Sequence, residues 1–239
     1  MKSRHPDRRN IDGVLVVDKP AEWTSHDVVA KVRNFFKLTK LGHAGTLDPV
    51  ATGVLVLLAG RATKASQFLI ADEKEYQFTI LLGKTTDTQD ITGTVTAEQP
   101  VFPAISRELL EKTLDLFRGE IQQIPPMFSA VKVNGTRLYK LGRKGQEIER
   151  ESRTITIHGL TIDSIDLPRI SVRAECSKGT YIRTLCHDIG QELDCGGCME
   201  SLKRLRSGRY SIADSYTMEE ILTWTVDEFE SHLFPVPSP

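Results

Sequence analysis

One loop, residues 42–55, carries the side chains best suited to chemistry. It reads GHAGTLDPVATGVL and places a carboxylate at Asp48 and an imidazole at His43. Its three glycines and one proline require unusual backbone angles and allow a ligand to approach the main chain closely. Asp48 precedes Pro49, which disfavours the helical conformation and holds the carboxylate on an extended or turning backbone. From spacing alone, an Asx turn at Asp48 and a structural role for His43 remain open alternatives.

Basic side chains form two clusters that could bind phosphate. The first lies in the segment 132–153, where Tyr139 and three glycines are interleaved: Lys132, Arg137, Lys140, Arg143, Lys144, Arg150 and Arg153. The second comprises Lys203, Arg204, Arg206 and Arg209. The first cluster suits a mobile clamp on phosphates, and a solvated charged face is the alternative for both clusters.

The overall charge hides an asymmetry. The chain has 239 residues and a formal net charge of −1. From residue 209 onward there is one basic residue against six acidic ones, so that tail carries −5 and residues 1–208 carry +4. Phosphate binding responds to local patches, so a nucleic-acid partner is compatible with this composition. Since no apolar run approaches roughly 20 residues and no secretory signal is present, we expect a cytoplasmic protein without a membrane partner.

The cysteines raise the question of a metal. Cys195 and Cys198 form C-G-G-C, and Cys186 and His187 lie near them in sequence. A structural zinc needs four ligands that usually come as two close pairs, and only one such pair exists here. We therefore expect reduced, partly buried thiols and no metal. A zinc-dependent base deaminase is also excluded, because no histidine begins an H-x-E motif.

The hydrophobic pattern mixes strands and helices without a strict βαβ order. The predicted strands are 13–18, 75–83, 154–160 and 170–176. The predicted helices are 25–37 behind a Thr24-Ser25 cap, 107–117 behind a Ser106 cap, 181–193, 199–206 and 217–229. This mixture predicts an α+β fold with a central mixed, largely antiparallel sheet flanked by helices.

The loop 42–55 closely resembles the signature loop of the TruB family of pseudouridine synthases. Other segments resemble family motifs in family order, from about residue 13 to 208. They are 13–20 (GVLVVDKP) with Thr24-Ser25, 60–64 (GRATK), 74–76 (KEY), 86–93 (TDTQDITG), 125–130 (PPMFSA), 138–139 (LY) and 177–183 (SKGTYIR). A chance match to one motif is easy, but a chance match to all of them is not.

This resemblance implies the pseudouridine synthase fold and an isomerisation of a uridine in the T-loop of tRNA. The reaction breaks the bond from N1 to C1′, rotates the base and rejoins it through C5, so it needs no cofactor. Asp48 is then the catalytic residue, either as a nucleophile at C1′ or as a base at C2′. The sequence leaves both roles open.

The resemblance also assigns substrate-binding residues: His43, Tyr76, Tyr181, Arg183 and Leu202. A flipped-out uridine needs a stacking face, which Tyr76 would supply. Arg183 would pair with Asp48 and keep that carboxylate charged. From the residues alone, Tyr76 and Leu202 could equally be core side chains, and Arg183 could be a surface cation.

The family also implies the organisation of the chain. We expect a flexible basic tail over 1–10, a catalytic domain over 11–210 with an RNA-clamping insertion at about 125–153, and an acidic helix and tail over 211–239. The last segment is too short for the PUA-like domain that bacterial members usually carry. The expected partner is the T-arm of tRNA, bound by a monomer that needs no protein partner.

Two other functions remain open at this stage. One is an RNA-guided type of rRNA pseudouridine synthase, which shares the catalytic loop but needs protein partners and a PUA domain. The other is a non-catalytic module that binds or folds tRNA. The joint presence of Asp48, Tyr76 and Arg183 argues against the second, since binding alone would need only the basic clamp.

Overall fold

A computed structural model describes residues 8–99, 104–129, 131–133, 135–142, 145–146 and 148–236. The chain forms two compact units. The first unit comprises residues 1–75 and 203–239, and the second unit comprises residues 76–202. Across these described ranges, no helix has the length and apolar character needed to cross a bilayer.

The structure contains the following elements in its described ranges. The strands are β1 (Gly13–Lys19), β2 (Leu41–Ala44), β3 (Thr52–Ala59), β4 (Lys74–Leu82), β5 (Lys84–Thr86), β6 (Val95–Glu98), β7 (Gly119–Gln123), β8 (Lys132–Val133), β9 (Thr136–Arg137), β10 (Arg153–Asp166), β11 (Arg169–Cys176), β12 (Gly197–Ser207), β13 (Tyr210–Ser211) and β14 (Tyr216–Thr217). The helices are α1 (Ser25–Phe35), α2 (Ser66–Ala71), α3 (Arg107–Asp115), α4 (Leu138–Gly142), α5 (Ile182–Glu192), α6 (Met218–Ile221) and α7 (Val226–Ser231).

The first unit is built on β1 and β3, which are buried along nearly their whole length. Its strand order is β14-β1-β3-β12, with β2 also paired to β3. β1 runs antiparallel to β3, whereas β3 pairs in parallel with the end of β12. Val14, Val16, Val54, Val56 and Leu58 pack into one core cluster. Strands buried on both faces read as continuous apolar runs, which explains the sequences GVLVV and GVLVLLA.

The second unit carries the remaining part of the sheet in the order β12-β4-β11-β10-β7. β11 alternates as expected and buries Ile170, Val172, Ala174 and Cys176. β10 pairs antiparallel with both β11 and β7 and contains register shifts that bend it. Parallel and antiparallel pairs together make the sheet mixed, so the predicted α+β class is confirmed.

Most predicted elements are present, with small changes at their ends. Thr24 caps α1 through a capping box with Asp27, and Ser106 caps α3 by accepting from the Leu109 amide at 3.2 Å. The predicted helix over 217–229 is instead two short helices, α6 and α7. Thr225 interrupts it because it starts a second capping box with Glu228.

The predicted helix over 199–206 is wrong, because this segment lies in β12. Its Leu, Lys, Arg and Glu residues favour a helix locally, but pairing within the sheet overrides that preference. The burial alternates instead, with Leu202 and Arg204 buried at positions two apart. A buried arginine occupies one of these core positions, and a search for apolar periodicity cannot recognise it.

Of the predicted tail over 1–10, which stays a prediction, residues 1–7 lie outside the described ranges. Arg8 donates to the Leu38 carbonyl at 3.1 Å, and Arg9 donates to the Phe36 carbonyl at 3.1 Å. These two residues are therefore held against the turn that follows α1.

The start of β3 requires a glycine. Gly53 has a φ of +93°, and a Cβ built on it would overlap the main-chain carbonyl oxygen of Arg204. We predict that Gly53→Ala lowers the free energy of unfolding by about 2–5 kcal/mol, from left-handed strain plus overpacking. Gly119→Ala is the matched control, because Gly119 has a φ of +83° and open space around its Cβ position. Urea unfolding of both variants measures the difference, and equal losses would mean that close approach to Arg204 is unimportant.

Candidate active site

Asp48 lies in the aspartate loop, defined here as residues 45–51 between β2 and β3. The side chain is half-buried. The main-chain carbonyl of Asp48 accepts a hydrogen bond from the Ala51 amide at 3.0 Å, which closes a tight turn. The next carbonyl, that of Pro49, accepts from the Glu22 amide at 2.8 Å. The main chain on the C-terminal side of the carboxylate is therefore fixed by hydrogen bonds.

The main chain on the N-terminal side is fixed by Ser25, the first residue of α1. Its hydroxyl donates to the Leu47 carbonyl at 3.1 Å and accepts from the Leu47 amide at 2.9 Å. Ser25 is 2% exposed, so both polar groups of Leu47 are satisfied away from water. The capping box of α1 thus places a hydroxyl next to the residue that precedes Asp48.

Lys19 ends β1 beneath the same loop. It is 0% exposed, and its ammonium donates to the carbonyls of Pro20 at 2.8 Å, Trp23 at 2.6 Å and Pro49 at 3.3 Å. An ammonium has three N–H donors, so these acceptors use all of them. Burial lowers the pKa of Lys19 to about 8, while the negative charge of Asp48 opposes that shift. At neutral pH the group is mostly charged and stabilises an ionised Asp48.

Arg204 reaches the loop from β12 and is also buried, at 1% exposed. Its Nε donates to the Val54 carbonyl at 2.7 Å, and its Nη2 donates to the Gly45 carbonyl at 3.1 Å. Its positive charge lowers the pKa of Lys19 further. Arg204 was predicted as part of the second basic cluster, but its guanidinium lies in the protein interior and cannot contact phosphate.

His43 lies on β2, half-buried, directly before the aspartate loop. Its ring is 5.8 Å from that of His26, edge to face. Burial lowers the pKa of His43, and the charges of His26 and Arg204 lower it further. His43 is consequently a neutral imidazole at pH 7, suited to hydrogen bonding rather than to ion pairing.

In the second unit, Arg183 lies in the first turn of α5 and is 5% exposed. Its Nη1 and Nη2 donate to the carbonyls of Thr88 at 3.0 Å and Phe128 at 2.9 Å. Its Nη1 is also 3.5 Å from a carboxylate oxygen of the buried Asp90. The other Asp90 oxygen accepts from both polar groups of Thr92, so the pair sits in a hydrogen-bonded network. Arg183 is thus a buried, oriented cation and not a surface charge.

Tyr181, which caps α5, is held by the buried Gln123 of β7. The Gln123 amide donates to the Tyr181 carbonyl at 3.1 Å and accepts from the Tyr181 amide at 2.8 Å. This two-point contact fixes the start of α5 and with it the position from which Arg183 extends. Tyr76 on β4 and Leu202 on β12 are each 9% exposed, and their strands are neighbours in the sheet.

The predicted site residues therefore fall into two groups. The first unit brings Asp48 and His43 onto one loop and its preceding strand, and the second unit contains Tyr76, Tyr181, Arg183 and Leu202. That Arg183 pairs with Asp48 stays a prediction. Two positioning residues, Lys19 and Gln123, were not predicted. Lys19 was visible only as part of the motif GVLVVDKP, and nothing in the sequence around Gln123 distinguishes it from a surface glutamine.

The predicted clamp is described only in part. Arg143 and Lys144 lie outside the described residues. The segment contains a hairpin, β8 and β9, followed by α4, whose first residue Leu138 is fully buried. Arg150 donates to the Pro125 carbonyl at 3.4 Å, which links the two ends of the segment.

All four cysteines are buried. Burial raises the pKa of Cys198 to about 11 and raises the pKa of Cys186 and of Cys195 as well. Thiolates are the form that binds metals and attacks electrophiles, so these side chains are poor ligands and nucleophiles. In the described part of the chain, no group of three or more His, Cys, Asp or Glu side chains could hold a metal ion.

Comparison with known proteins gives consistent matches along the chain. The model of the TruB family pseudouridylate synthase N-terminal domain matches residues 33–182, and that of the tRNA pseudouridylate synthase B C-terminal domain matches residues 183–238. The chain is 46% identical over 229 residues to tRNA pseudouridine synthase B of Opitutus terrae, covering 96% of this chain and 95% of the relative. It is 51% identical over 209 residues to that of Clostridium kluyveri, covering 87% and 72%.

Solved structures give the same fold at lower identity. An H/ACA ribonucleoprotein bound to a substrate RNA containing 2′-deoxyuridine matches with a TM-score of 0.71 and 27% identity, over 94% of this chain and 59% of that one. A Cbf5–Nop10–Gar1 complex matches with a TM-score of 0.74 and 27% identity, over 98% and 66%. The chain thus spans less than two thirds of either structural relative.

The electrostatic coupling under the aspartate loop can be tested directly. Because the Asp48 carboxylate raises the pKa of Lys19, we predict that Asp48→Asn moves that pKa below its value of about 8. An NMR titration of ¹³C-labelled lysine would follow the Lys19 signal, assigned by its loss in Lys19→Met. Asp12→Asn is the control, since the Asp12 carboxylate pairs with Arg61 at 2.6 Å. A Lys19 pKa that Asp48→Asn leaves unchanged or raises would contradict the coupling.

Proposed function

Because the chain belongs to the TruB family of pseudouridine synthases, we propose that it isomerises the uridine at position 55 in the T-loop of tRNA. The observation that supports this most is the aspartate loop. It holds one half-buried carboxylate on a main chain fixed on both sides, above a charged, buried lysine. A reaction that needs no redox step and no group donor requires little more than such a carboxylate and a place for the flipped base.

In the proposed reaction, Asp48 acts on the ribose of the flipped uridine. As a nucleophile it would attack C1′ and release the uracil through N1; as a base it would remove the proton at C2′. Both routes need an ionised carboxylate, which the ammonium of Lys19 favours. Both end when C5 bonds to C1′: C5 loses its proton, the freed N1 gains one, and in the second route C2′ regains the proton it gave up. Substrate and product are therefore isomers, and no redox step or group donor is needed.

The second unit supplies the residues proposed to hold the base. Tyr76 offers a stacking face, and Tyr181 and Leu202 line the pocket. Arg183 is proposed to orient and stabilise the carboxylate of Asp48, a role that suits a guanidinium which stays charged when buried. Its burial and its contacts with Thr88 and Phe128 support a fixed orientation. His43, as a neutral imidazole, is proposed to contact the RNA beside the vacated stack.

The substrate is proposed to be the T-arm of tRNA, bound by a cytoplasmic monomer without a protein partner. The relatives named tRNA pseudouridine synthase B, at 44–51% identity, support this over an RNA-guided rRNA enzyme, whose structural relatives share 27%. The basic segment 132–153 is the proposed clamp on the phosphates. A non-catalytic tRNA-binding module is the remaining alternative, and an activity assay separates it from an enzyme.

The catalytic role of Asp48 is tested by Asp48→Asn. Asparagine keeps the shape and some hydrogen bonding but cannot act as a nucleophile or base, so we predict loss of isomerisation with tRNA binding within about a few-fold of the parent. Tritium release from tRNA carrying C5-labelled uridine measures the reaction, and filter binding measures affinity. Turnover by a pure Asp48→Asn preparation would remove Asp48 from the catalytic role. A parent protein that binds tRNA without releasing tritium would instead favour the non-catalytic module.

The clamp is tested by its response to salt. Each basic side chain that neutralises a phosphate releases counterions, so binding weakens as salt rises. For Arg143→Ala with Lys144→Ala, we predict weaker binding at low salt and a slope of log affinity against log salt that is shallower by roughly 0.7–0.9 per lost contact. The single-turnover rate at saturating tRNA should change little. An unchanged slope would leave this pair as part of a solvated face.

A further inference from the structure

We propose that Arg204 is a positioning residue that fixes the backbone of the aspartate loop and thereby aims the Asp48 carboxylate. This inference rests on the proposed function, since aiming is meaningful only if Asp48 acts on a substrate. It differs from the expectation for a basic strand residue in an RNA-binding protein, which is contact with phosphate.

The burial of Arg204 requires an explanation. Arginine is almost never fully buried unless its donors are satisfied, and Arg204 is 1% exposed. Its guanidinium donates to two main-chain carbonyls, those of Val54 at 2.7 Å and Gly45 at 3.1 Å. These carbonyls belong to residues on either side of Asp48 in sequence. One rigid group therefore ties together the two ends of the chain segment that presents the carboxylate.

The backbone around Arg204 is shaped for this contact at two glycines. Arg204 pairs with Gly53 in the parallel ladder between β12 and β3, where a Cβ on Gly53 would overlap the Arg204 main chain. Gly45 has a φ of +86°, and a Cβ there would lie 3.4 Å from Nη1 of Arg204. Gly53 thus allows the close approach of the Arg204 main chain, whereas at Gly45 it is the positive φ that favours glycine.

An arginine suits this position better than a lysine. The planar guanidinium presents donors in fixed directions, so it can reach two carbonyls at once, and it stays charged when buried. A lysine ammonium is a point donor on a flexible stem, and its pKa falls on burial, as that of the neighbouring Lys19 does. A positively charged side chain without the planar guanidinium would therefore not reproduce the two hydrogen bonds of Arg204.

The experiment compares Arg204→Lys with a matched control, Arg118→Lys. Arg118 also donates to a main-chain carbonyl, that of Leu160, with its Nε at 3.1 Å, and it has no proposed role in the reaction. Three quantities are measured for parent and variants: the single-turnover rate at saturating tRNA, the dissociation constant for tRNA, and amide hydrogen exchange of the peptide that covers residues 42–55.

For Arg204→Lys we expect the single-turnover rate to fall on the order of 10²-fold, since a misplacement of about 1 Å has that effect on a reacting group. The dissociation constant should stay within about threefold, because a buried side chain does not touch phosphate. Exchange should accelerate in residues 42–55. Arg118→Lys should lower stability without changing the rate or the exchange of that peptide.

Several outcomes overturn the proposal: an unchanged rate, an unchanged exchange of residues 42–55, or an equal loss of rate in Arg118→Lys. A loss of tRNA affinity with an unchanged rate at saturating tRNA would indicate that Arg204 contacts RNA and does not position the loop. Exchange does not require turnover, so a parent protein without activity would defeat the proposed function while the exchange result still judges the role of Arg204. If Arg204→Lys does not fold, slow hydrogen exchange of the Arg204 Nε–H in the parent supports the buried contact, and fast exchange overturns it.

Discussion

The proposed site depends on one interaction: buried cationic side chains donate to the main-chain carbonyls of the segment that carries Asp48. Lys19 donates to Pro49, and Arg204 donates to Gly45 and Val54. Their positive charges would be costly to bury alone, but carbonyl acceptors and the Asp48 charge offset part of that cost.

In the second unit, neutral side chains as well as charged ones bind main-chain groups and fix the backbone. Gln123 fixes the main chain of Tyr181 by donating and accepting at once, and Ser25 does the same for Leu47 in the first unit. A buried amide or hydroxyl that makes both contacts sets the start of a helix or a turn with little freedom. Arg183 extends from such a start, and Asp90 completes its surroundings. In both units the residues with proposed chemical roles are few, and residues that fix the main chain accompany them.

Several features of the fold and site could be predicted from sequence, because they depend on local rules. A continuous apolar run predicted β1, alternation predicted β11, and capping residues predicted α1 and α3. The motifs predicted Asp48 and Arg183 as site residues, and that stays a prediction; the sequence did not show which groups surround them in the fold. The segment 199–206 of β12 was predicted as a helix because its residues favour one locally. The burial of Arg204 could not be predicted, because its acceptors Gly45 and Val54 lie far away in sequence. Gln123 was missed for the same reason, since its partner Tyr181 belongs to a distant element.

The first unit is assembled from both ends of the chain, and this has a consequence for synthesis on the ribosome. Asp48 is made early, whereas Arg204, which lies 159 residues after its acceptor Gly45, is made near the end. At a synthesis rate of roughly 5–20 residues per second, Arg204 is added about 10–30 s after Gly45. A nascent chain that already contains every motif up to Arg183 therefore still lacks β12 and the hydrogen bonds from Arg204 to Gly45 and Val54. Premature termination would yield a fragment that carries Asp48, the proposed catalytic residue, without the Arg204 side chain that binds the Gly45 and Val54 carbonyls.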